Sequence, residues 1–268
     1  MTAGTAGPVP ALRPGTCQLW WASARDAHPL LRGLLDDAAR ERADRLRQPA
    51  ARALHLTAHA LARTVAGAHL GVSAGKLELT ATCKRCGGPH GKPRPRGPLG
   101  LSWSHSGDRV VVAVAVGAEI GVDVERIAPF AGETADRVLC GPERAVLAGL
   151  PEPHRPAGFV RYWTRKEALL KATGDGLSVP PELLHVTAPD ARPRLLSWSG
   201  PARPGLPLHL YDLDAGAGHL AALASLGAPV RPVPFDGSAL LAAAVAEAAA
   251  SGTFRDPTPF PQERPVAP

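Results

Sequence analysis

The chain of 268 residues is poor in cysteine and aromatic residues and has no long apolar run. Its four cysteines do not form a disulfide framework of the kind that stabilises small secreted domains. No apolar run reaches the ~18 residues of a membrane-spanning helix, and the N-terminus lacks the charged and apolar regions of a signal peptide. We therefore expect a reduced, cytoplasmic protein without a membrane partner.

Aromatic residues make up 4% of the chain and are not interleaved with basic residues, so the sequence offers no stacking surface for single-stranded nucleic acid. The net charge of +6 is spread along the chain rather than gathered into runs. This distribution favours an acidic partner, such as a phosphorylated cofactor or an acidic protein, and we expect no nucleic-acid partner.

Lysine is scarce as well: only five of the 30 Lys and Arg residues are lysines. Two of them, Lys166 and Lys171, lie in one predicted amphipathic helix that starts near Phe159 and ends at Gly174. Lys166 falls within the apolar stripe, and Glu167 lies one turn before Lys171. In one interpretation, Lys166 extends its ammonium to solvent, and Glu167 and Lys171 form a surface ion pair. The other is a site that needs a compact ammonium, where the planar group of arginine would not fit.

The remaining pattern predicts an α+β fold. Strands are expected at 17–22, 76–82, 99–103, 110–116, 119–125, 182–188, 195–198, 208–213 and 219–224, and further helices at 34–47, 50–68, 133–139 and 142–150. We divide the chain into a flexible leader (1–15), an N-terminal half (16–118), a C-terminal half (119–227) and a tail (228–268). Because the tail is Pro-rich around an Ala-rich stretch, we expect it to be disordered, with at most one marginal helix.

The first polar motif, C-K-R-C-G-G-P-H-G-K-P, runs from Cys83 to Pro93. Cys83, Cys86 and His90 offer three zinc ligands, whereas a structural zinc site uses four, so a loop and a metal site both stay open as interpretations. Lys92 follows on a stiff turn, either as a solvated lysine or as part of a binding site.

The second motif is Ser104-His105-Ser106-Gly107, which we expect to form a turn after the strand at 99–103. Two hydroxyls, an imidazole and a glycine that allows close backbone approach suit the binding of phosphate oxygens. A Ser-His-acid triad is the rival chemistry, but an adjacent serine and histidine do not readily form the hydrogen bond between nucleophile and base.

The third motif is the strand E-I-G-V-D-V-E at 119–125, which alternates with a period of two. Its Ile and Val side chains are expected to face the core, while Gly121, Asp123 and Glu125 face the other way. Two carboxylates on one strand face, beside a glycine that leaves space, suit a hard divalent cation such as Mg²⁺. The alternative is an edge strand kept soluble by its charges.

Taken together, four motifs resemble the 4′-phosphopantetheinyl transferase superfamily, in its larger single-chain, surfactin-synthetase-activating type. The motifs are H-G-K-P (90–93), W-S-H-S-G (103–107), G-V-D-V-E (121–125) and W-T-R-K-E-A-L-L-K (163–171). The resemblance implies two similar α/β halves in one chain, a pseudo-dimer with the active site in the cleft between them, and a monomer in solution. It also implies transfer of the phosphopantetheine arm of coenzyme A to a serine of an acyl or peptidyl carrier protein. Mg²⁺ is the implied cofactor and adenosine 3′,5′-bisphosphate the implied product.

The resemblance also implies roles for individual residues. The implied magnesium ligands are Asp123, Glu125 and Glu167. The implied coenzyme A contacts are Arg52, Lys92, Ser104, His105, Lys166 and Lys171, with Arg52 as the nearest candidate for holding the 3′-phosphate. Glu167 and Lys171 are the implied catalytic residues. We assign Glu167 as the general base, kept ionised by magnesium and two ammonium groups.

Two other functions share parts of this pattern. A basic nucleotide- or nucleic-acid-binding module without catalysis would use the phosphate contacts, but would gain nothing from three carboxylates near the anion unless a metal lay between them. A metal-dependent phosphohydrolase would use the metal site with water as the nucleophile.

Overall fold

The computed structural model describes residues 9–89, 91–200 and 203–250. Its strands are β1 (Thr16–Ser23), β2 (Leu79–Thr80), β3 (Arg94–Pro95), β4 (Leu99–Ser106), β5 (Arg109–Val116), β6 (Glu119–Arg126), β7 (Leu184–Val186), β8 (Leu195–Trp198), β9 (Leu208–Leu213), β10 (His219–Leu226) and β11 (Arg231–Asp236). Its α-helices are α1 (Asp37–Arg45), α2 (Pro49–Leu70), α3 (Gly132–Val138), α4 (Gly141–Gly149), α5 (Arg155–Thr173) and α6 (Gly237–Ala250). This mixture of helices and strands confirms the predicted α+β class.

A four-stranded sheet with the order β11–β1–β5–β4 forms the first layer. Strand β5 is central, and residues 110–115 of its apolar run are fully buried, as a strand covered on both faces should be. Helix α2 packs on the outer face of this sheet, where Leu61 and Val65 join Leu101 and Val112 in one core cluster. Every helix among the described residues is too short or too polar to span a membrane.

A three-stranded antiparallel sheet with the order β6–β10–β9 forms the second layer, and α5 packs on its outer face. The closest approach is at Gly121 of β6, where an added Cβ would lie 2.2 Å from both Ala168 O and Ala172 N. The prediction that Gly121 leaves space for a cation was wrong, because the backbone of α5 fills that space.

The inner faces of the two sheets pack against each other. Their side chains form one buried cluster that includes Leu19, Val111, Ala113, Ile120, Val122, Val124 and Leu223. The predicted inward orientation of the Ile and Val side chains of β6 is therefore confirmed. The order of the layers is helix, sheet, sheet, helix.

The tail forms strand β11 and helix α6, so the expectation of disorder was wrong for 231–236, while the stretch that was allowed one marginal helix does form a helix. Strand β11 pairs in parallel with β1, and Phe235 stacks on Trp20 with ring centroids 4.8 Å apart. Helix α6 buries Leu241 to 1% exposure in the cluster under α2. The two prolines of β11 are tolerated because the strand lies at the sheet edge. The pairing partner is the first strand of the chain, which local composition does not reveal.

Helix α5 ends as predicted, with Gly174 in the left-handed region at φ +78°. It is not a surface helix, however, because its supposed polar face is also buried. Arg165 is 0% exposed and donates to both carboxylate oxygens of Asp212 and to the backbone oxygens of Thr187, Ala188 and Ala191. Burying a guanidinium is costly, and a full set of charge-assisted hydrogen bonds offsets this cost for Arg165.

Candidate active site

Strands β4 and β6 lie side by side where the two sheets meet, and serine hydroxyls join them. Ser102 Oγ accepts a hydrogen bond from Val122 N at 3.0 Å, and Ser106 Oγ accepts one from Arg126 N at 3.2 Å. Ser104 lies between these two serines on the same face of β4, because side chains alternate along a strand. The predicted turn at 104–107 was therefore wrong for its first three residues, which belong to β4.

Asp123 is the centre of this junction and is only 2% exposed. Its Oδ1 accepts from Ser104 Oγ at 2.8 Å and from Lys171 Nζ at 2.6 Å. Lys171 Nζ also donates to Ser104 Oγ at 3.1 Å, which closes a triangle of three side chains from β4, β6 and α5. Oδ2 of Asp123 is buried and has no hydrogen-bond partner among the described residues.

Glu125 stands next to Asp123 on the same strand face. Its two oxygens accept from Ser106 Oγ at 2.5 Å and from Trp163 Nε1 at 3.3 Å. Burial, followed by the charge of Asp123, raises the pKa of Glu125. Sequence reasoning missed the roles of Ser106 and Trp163, although the spacing of Ser106 two residues after Ser104 placed both on one face.

Glu167 of α5 faces the same pair of carboxylates. Its side chain is buried and its Oε1 has no hydrogen-bond partner in the described part of the chain. Burial raises the pKa of Glu167 to about 7, Lys171 opposes this, and Asp123 and Glu125 add to it. The expectation was that magnesium and two ammonium groups keep Glu167 ionised. Among the described residues only one ammonium, that of Lys171, acts on Glu167, and burial outweighs its effect; the part of the expectation that concerns magnesium stays a prediction.

Asp123 is close enough to raise the pKa of Glu125, and both of these carboxylates raise the pKa of Glu167. The three side chains supply the hard oxygen ligands that Mg²⁺ prefers. Among the described residues, no three His, Cys, Asp or Glu side chains are arranged around one point that could hold a metal ion. Two buried oxygens of the cluster, Asp123 Oδ2 and Glu167 Oε1, nevertheless have no hydrogen-bond partner in the part of the chain that the structure describes. The donor set therefore fits a cation in chemistry, although the three side chains do not form a ready metal cage.

Comparison with known proteins adds an independent observation. The family model of the 4′-phosphopantetheinyl transferase superfamily matches residues 119–224. The 4′-phosphopantetheinyl transferase HetI of Nostoc sp. strain PCC 7120 is 32% identical over 168 residues, which cover 59% of this chain and 68% of that one. This chain belongs to the 4′-phosphopantetheinyl transferase superfamily.

Other members of the superfamily match over shorter stretches. The transferase psf-1 of Bacillus pumilus is 40% identical over 78 residues, which span 29% of this chain and 33% of that protein. AcpT of Escherichia coli K12 is 36% identical over 91 residues, 32% of this chain and 47% of that one. The holo-acyl-carrier-protein synthase structure from Thermotoga maritima matches with 20% identity, a TM-score of 0.34 and coverage of 42% of this chain and 64% of that one, too low to support a structural argument. Like HetI, psf-1 and AcpT are 4′-phosphopantetheinyl transferases, which supports this enzyme class for the chain.

Within this superfamily member, Lys166 does not lie with the other predicted site residues. It is 0% exposed, and its Nζ donates to Glu143 Oε2 at 2.5 Å, Val138 O at 2.7 Å and Pro181 O at 3.1 Å. All three donors of the ammonium are thus used inside the core, which contradicts the expectation that Lys166 contacts coenzyme A. The structure explains in a different way why lysine rather than arginine is present: three acceptors surround a compact charge.

Lys92 is also fully engaged. Its Nζ donates to Glu119 Oε2 at 2.6 Å, Ile120 O at 2.8 Å and Ala172 O at 3.0 Å, so it binds one of the last carbonyls of α5. Burial lowers the pKa of Lys92, although Glu119 opposes the shift. A coenzyme contact by Lys92 would require it to give up one of these bonds, and that contact stays a prediction.

Arg52 and His105 are two further residues that were predicted to contact coenzyme A. Arg52 is near the start of α2 and donates to Leu46 O at 2.9 Å. His105 alternates with Ser104 along β4, so its ring lies on the face of Trp103, whose ring is 5.2 Å from His59 of α2. Their predicted contacts with coenzyme A are not tested by these positions.

An open cavity of about 490 Å³ lies beside the junction. Its lining includes Cys83, Lys92, Ser102, Trp103, Lys171, Gly174 and Leu177. The cavity therefore reaches from the cysteine-containing loop to the end of α5, and Lys171 connects it to the cluster around Asp123.

Proposed function

We propose that this protein transfers the 4′-phosphopantetheine arm of coenzyme A onto a serine of an acyl or peptidyl carrier protein. The observation that carries the proposal is the buried junction in which Lys171 and Ser104 bind Asp123, while Glu167 faces the same carboxylate with an Oε1 that has no hydrogen-bond partner among the described residues. A cation and several carboxylates beside an open cavity suit a pyrophosphate bound with a divalent metal. Membership of the superfamily supports the same reaction.

In the proposed reaction, the carrier serine oxygen forms a bond to the β-phosphorus, and the bond from that phosphorus to the bridging oxygen breaks. Adenosine 3′,5′-bisphosphate leaves. Lys171 is a point charge that lines the cavity, and we assign it to the phosphate oxygens whose charge increases during transfer. Ser104 holds Lys171 and Asp123 in place through its hydroxyl.

Asp123, Glu125 and Glu167 would hold Mg²⁺ through their carboxylate oxygens. A bound Mg²⁺ would neutralise pyrophosphate charge. Ser106 and Trp163 hold both oxygens of Glu125, so this side chain is the most restrained of the three. Glu167 has a pKa of about 7 and so exists in both protonation states near neutral pH, as a group that accepts the serine proton should.

We further propose that the active site lies in a cleft between two similar halves, as in the pseudo-dimer that the resemblance implies. The position of the junction, where the edge strands β4 and β6 of the two sheets meet, supports this arrangement. The product, the need for Mg²⁺ and a monomeric state belong to the same proposal.

The test is to incubate the protein with coenzyme A, MgCl₂ and an apo carrier protein, and to measure the intact mass of the carrier. Three carriers, of the fatty-acid, polyketide and nonribosomal-peptide types, would show which pathway is served. We expect a mass increase of one phosphopantetheine group, lost when EDTA is added or when Asp123 is replaced by Ala.

Two outcomes would contradict the proposal. Release of adenosine 3′,5′-bisphosphate without any carrier would indicate a phosphohydrolase that uses water. Binding of coenzyme A with no turnover of any of the three carriers would indicate a binding module. The Asp123→Ala variant must keep the wild-type circular dichroism spectrum for its loss of activity to be informative.

A further inference from the structure

The loop that contains Cys83 and Cys86 is closed by its own backbone. Cys83 N donates to Gly88 O at 2.8 Å, and Gly87 N donates back to Cys83 O at 2.9 Å. Gly87 adopts φ +71°, which lets the chain turn back within these few residues. The two cysteines are therefore held on one short turn.

The base of the loop is equally tight. Gly91 N donates to Ala81 O at 2.6 Å, and a Cβ on Gly91 would lie 2.7 Å from Cys83 N. Lys84, between the two cysteines, donates to Thr173 O at 2.5 Å and to Asp175 Oδ1 at 3.0 Å. These contacts fix the turn against the end of α5, so the relative position of the two thiols does not depend on a free loop.

The two thiols also interact. The backbone N–H groups of Cys86 and Arg85 lower the pKa of the Cys83 thiol, and a hydrogen bond from the Cys86 side chain adds to this effect. The other two cysteines differ. Burial raises the pKa of Cys17 to about 12, and burial also raises the pKa of Cys140 at the start of α4.

Small molecules can reach the pair. Cys86 is exposed, and Cys83 is partly exposed and lines the cavity of about 490 Å³. No third His, Cys, Asp or Glu among the described residues completes a metal site with them. His90, the third zinc ligand considered from the sequence, lies outside the described residues.

We propose that Cys83 and Cys86 form a redox-active dithiol that low-molecular-weight disulfides oxidise to an intramolecular disulfide. The Cys83 thiolate attacks one sulfur of the small disulfide, the sulfur–sulfur bond breaks, and one small thiolate leaves. The Cys86 thiolate then attacks Cys83 Sγ and displaces the second small thiolate. The protein loses two electrons and two protons, and the small disulfide becomes two thiols. The proposal is independent of the transferase reaction.

The test uses the full-length reduced protein and oxidised glutathione as the small disulfide. After exposure, free thiols are alkylated, and the protein is digested without reduction by a protease that does not cut after Lys or Arg. We expect the peptide with Cys83 and Cys86 to lose two hydrogens and to escape alkylation, at a rate at least about tenfold above modification of Cys140.

Two variants separate the steps. Cys86→Ser, at an exposed position, should accumulate a glutathione adduct on Cys83 because nothing displaces it. Cys140→Ser, the control at a partly exposed cysteine outside the pair, should be oxidised like the wild type. Equal modification of Cys83 and Cys140 would overturn the proposal. The proposal would also be overturned if the purified protein contained one equivalent of zinc and the Cys86→Ser variant contained none.

Discussion

Replacing Lys166 by Met tests whether this lysine is structural or a coenzyme contact. Lys166 and Glu143 are 0% and 1% exposed and lie 2.5 Å apart. Glu143 also accepts hydrogen bonds from Cys140 N and Val186 N, both at 2.9 Å. Without the ammonium, a buried carboxylate would keep two backbone donors but no cation.

Removal of one partner of a buried ion pair typically costs about 3–5 kcal/mol, and we expect the Lys166→Met variant to lose that much free energy of unfolding. The double variant Lys166→Met/Glu143→Gln should regain part of it, because a neutral amide oxygen can accept a backbone hydrogen bond without a buried charge.

Urea denaturation measures these differences in stability, and calorimetry measures coenzyme A binding by the folded variant. Lys84→Met is the matched control, since its side chain is 57% exposed and its ion pair should contribute less than about 1 kcal/mol. A loss below about 1 kcal/mol for Lys166→Met, together with loss of coenzyme A binding, would refute the structural assignment and restore the coenzyme contact.

Three further predictions concern catalysis, pH and the C-terminal elements. Glu167→Gln should lower kcat by about 10²–10⁴ while coenzyme A still binds, and full rescue at high Mg²⁺ in a magnesium titration would instead make Glu167 a ligand only. Burial, and after it the charge of the neighbouring His55, lowers the pKa of His59 from a usual 6.5 to about 3. Between these two pH values the unfolded chain binds a proton that the folded protein does not bind, so stability falls as the pH drops below 6.5. Urea denaturation should show a loss of about 1–2 kcal/mol from His59 between pH 7 and pH 5 that is absent in His59→Phe; the same slope in both proteins would contradict this. Deletion of residues 229–268 should lower Tm by more than about 5 °C, and Leu241→Ala should lower the free energy of unfolding by about 2–3 kcal/mol. An unchanged Tm would show that β11 and α6 add no stability.

Local pattern was enough to predict several elements that position the site. The alternation of 119–125 predicted a strand with Asp123 and Glu125 on one face, and Gly174 marked the end of α5. The motifs led to the superfamily that the comparisons confirmed. These features depend on neighbours in sequence, through the period of a strand or a helix and the conformational freedom of glycine.

Other features depend on partners far along the chain. Lys166 and Glu167 are adjacent, and only the packing of α4 and β6 on different sides of α5 sends one to Glu143 and the other to the cluster around Asp123. The order of strands decided that β11 pairs with β1, which turned a stretch that looked disordered into a sheet edge.

Gly121 and Ser102 also have roles that the sequence pattern alone does not reveal. Only the packed helix reveals that Gly121 lies against the backbone of α5, and only the β4–β6 junction reveals that Ser102 supplies a hydrogen-bond acceptor to Val122 N. The periodicity of a sequence determines which side chains share a face. The tertiary structure decides what that face meets, because burial, charge pairing and hydrogen-bond satisfaction depend on groups that the chain brings together only when it folds.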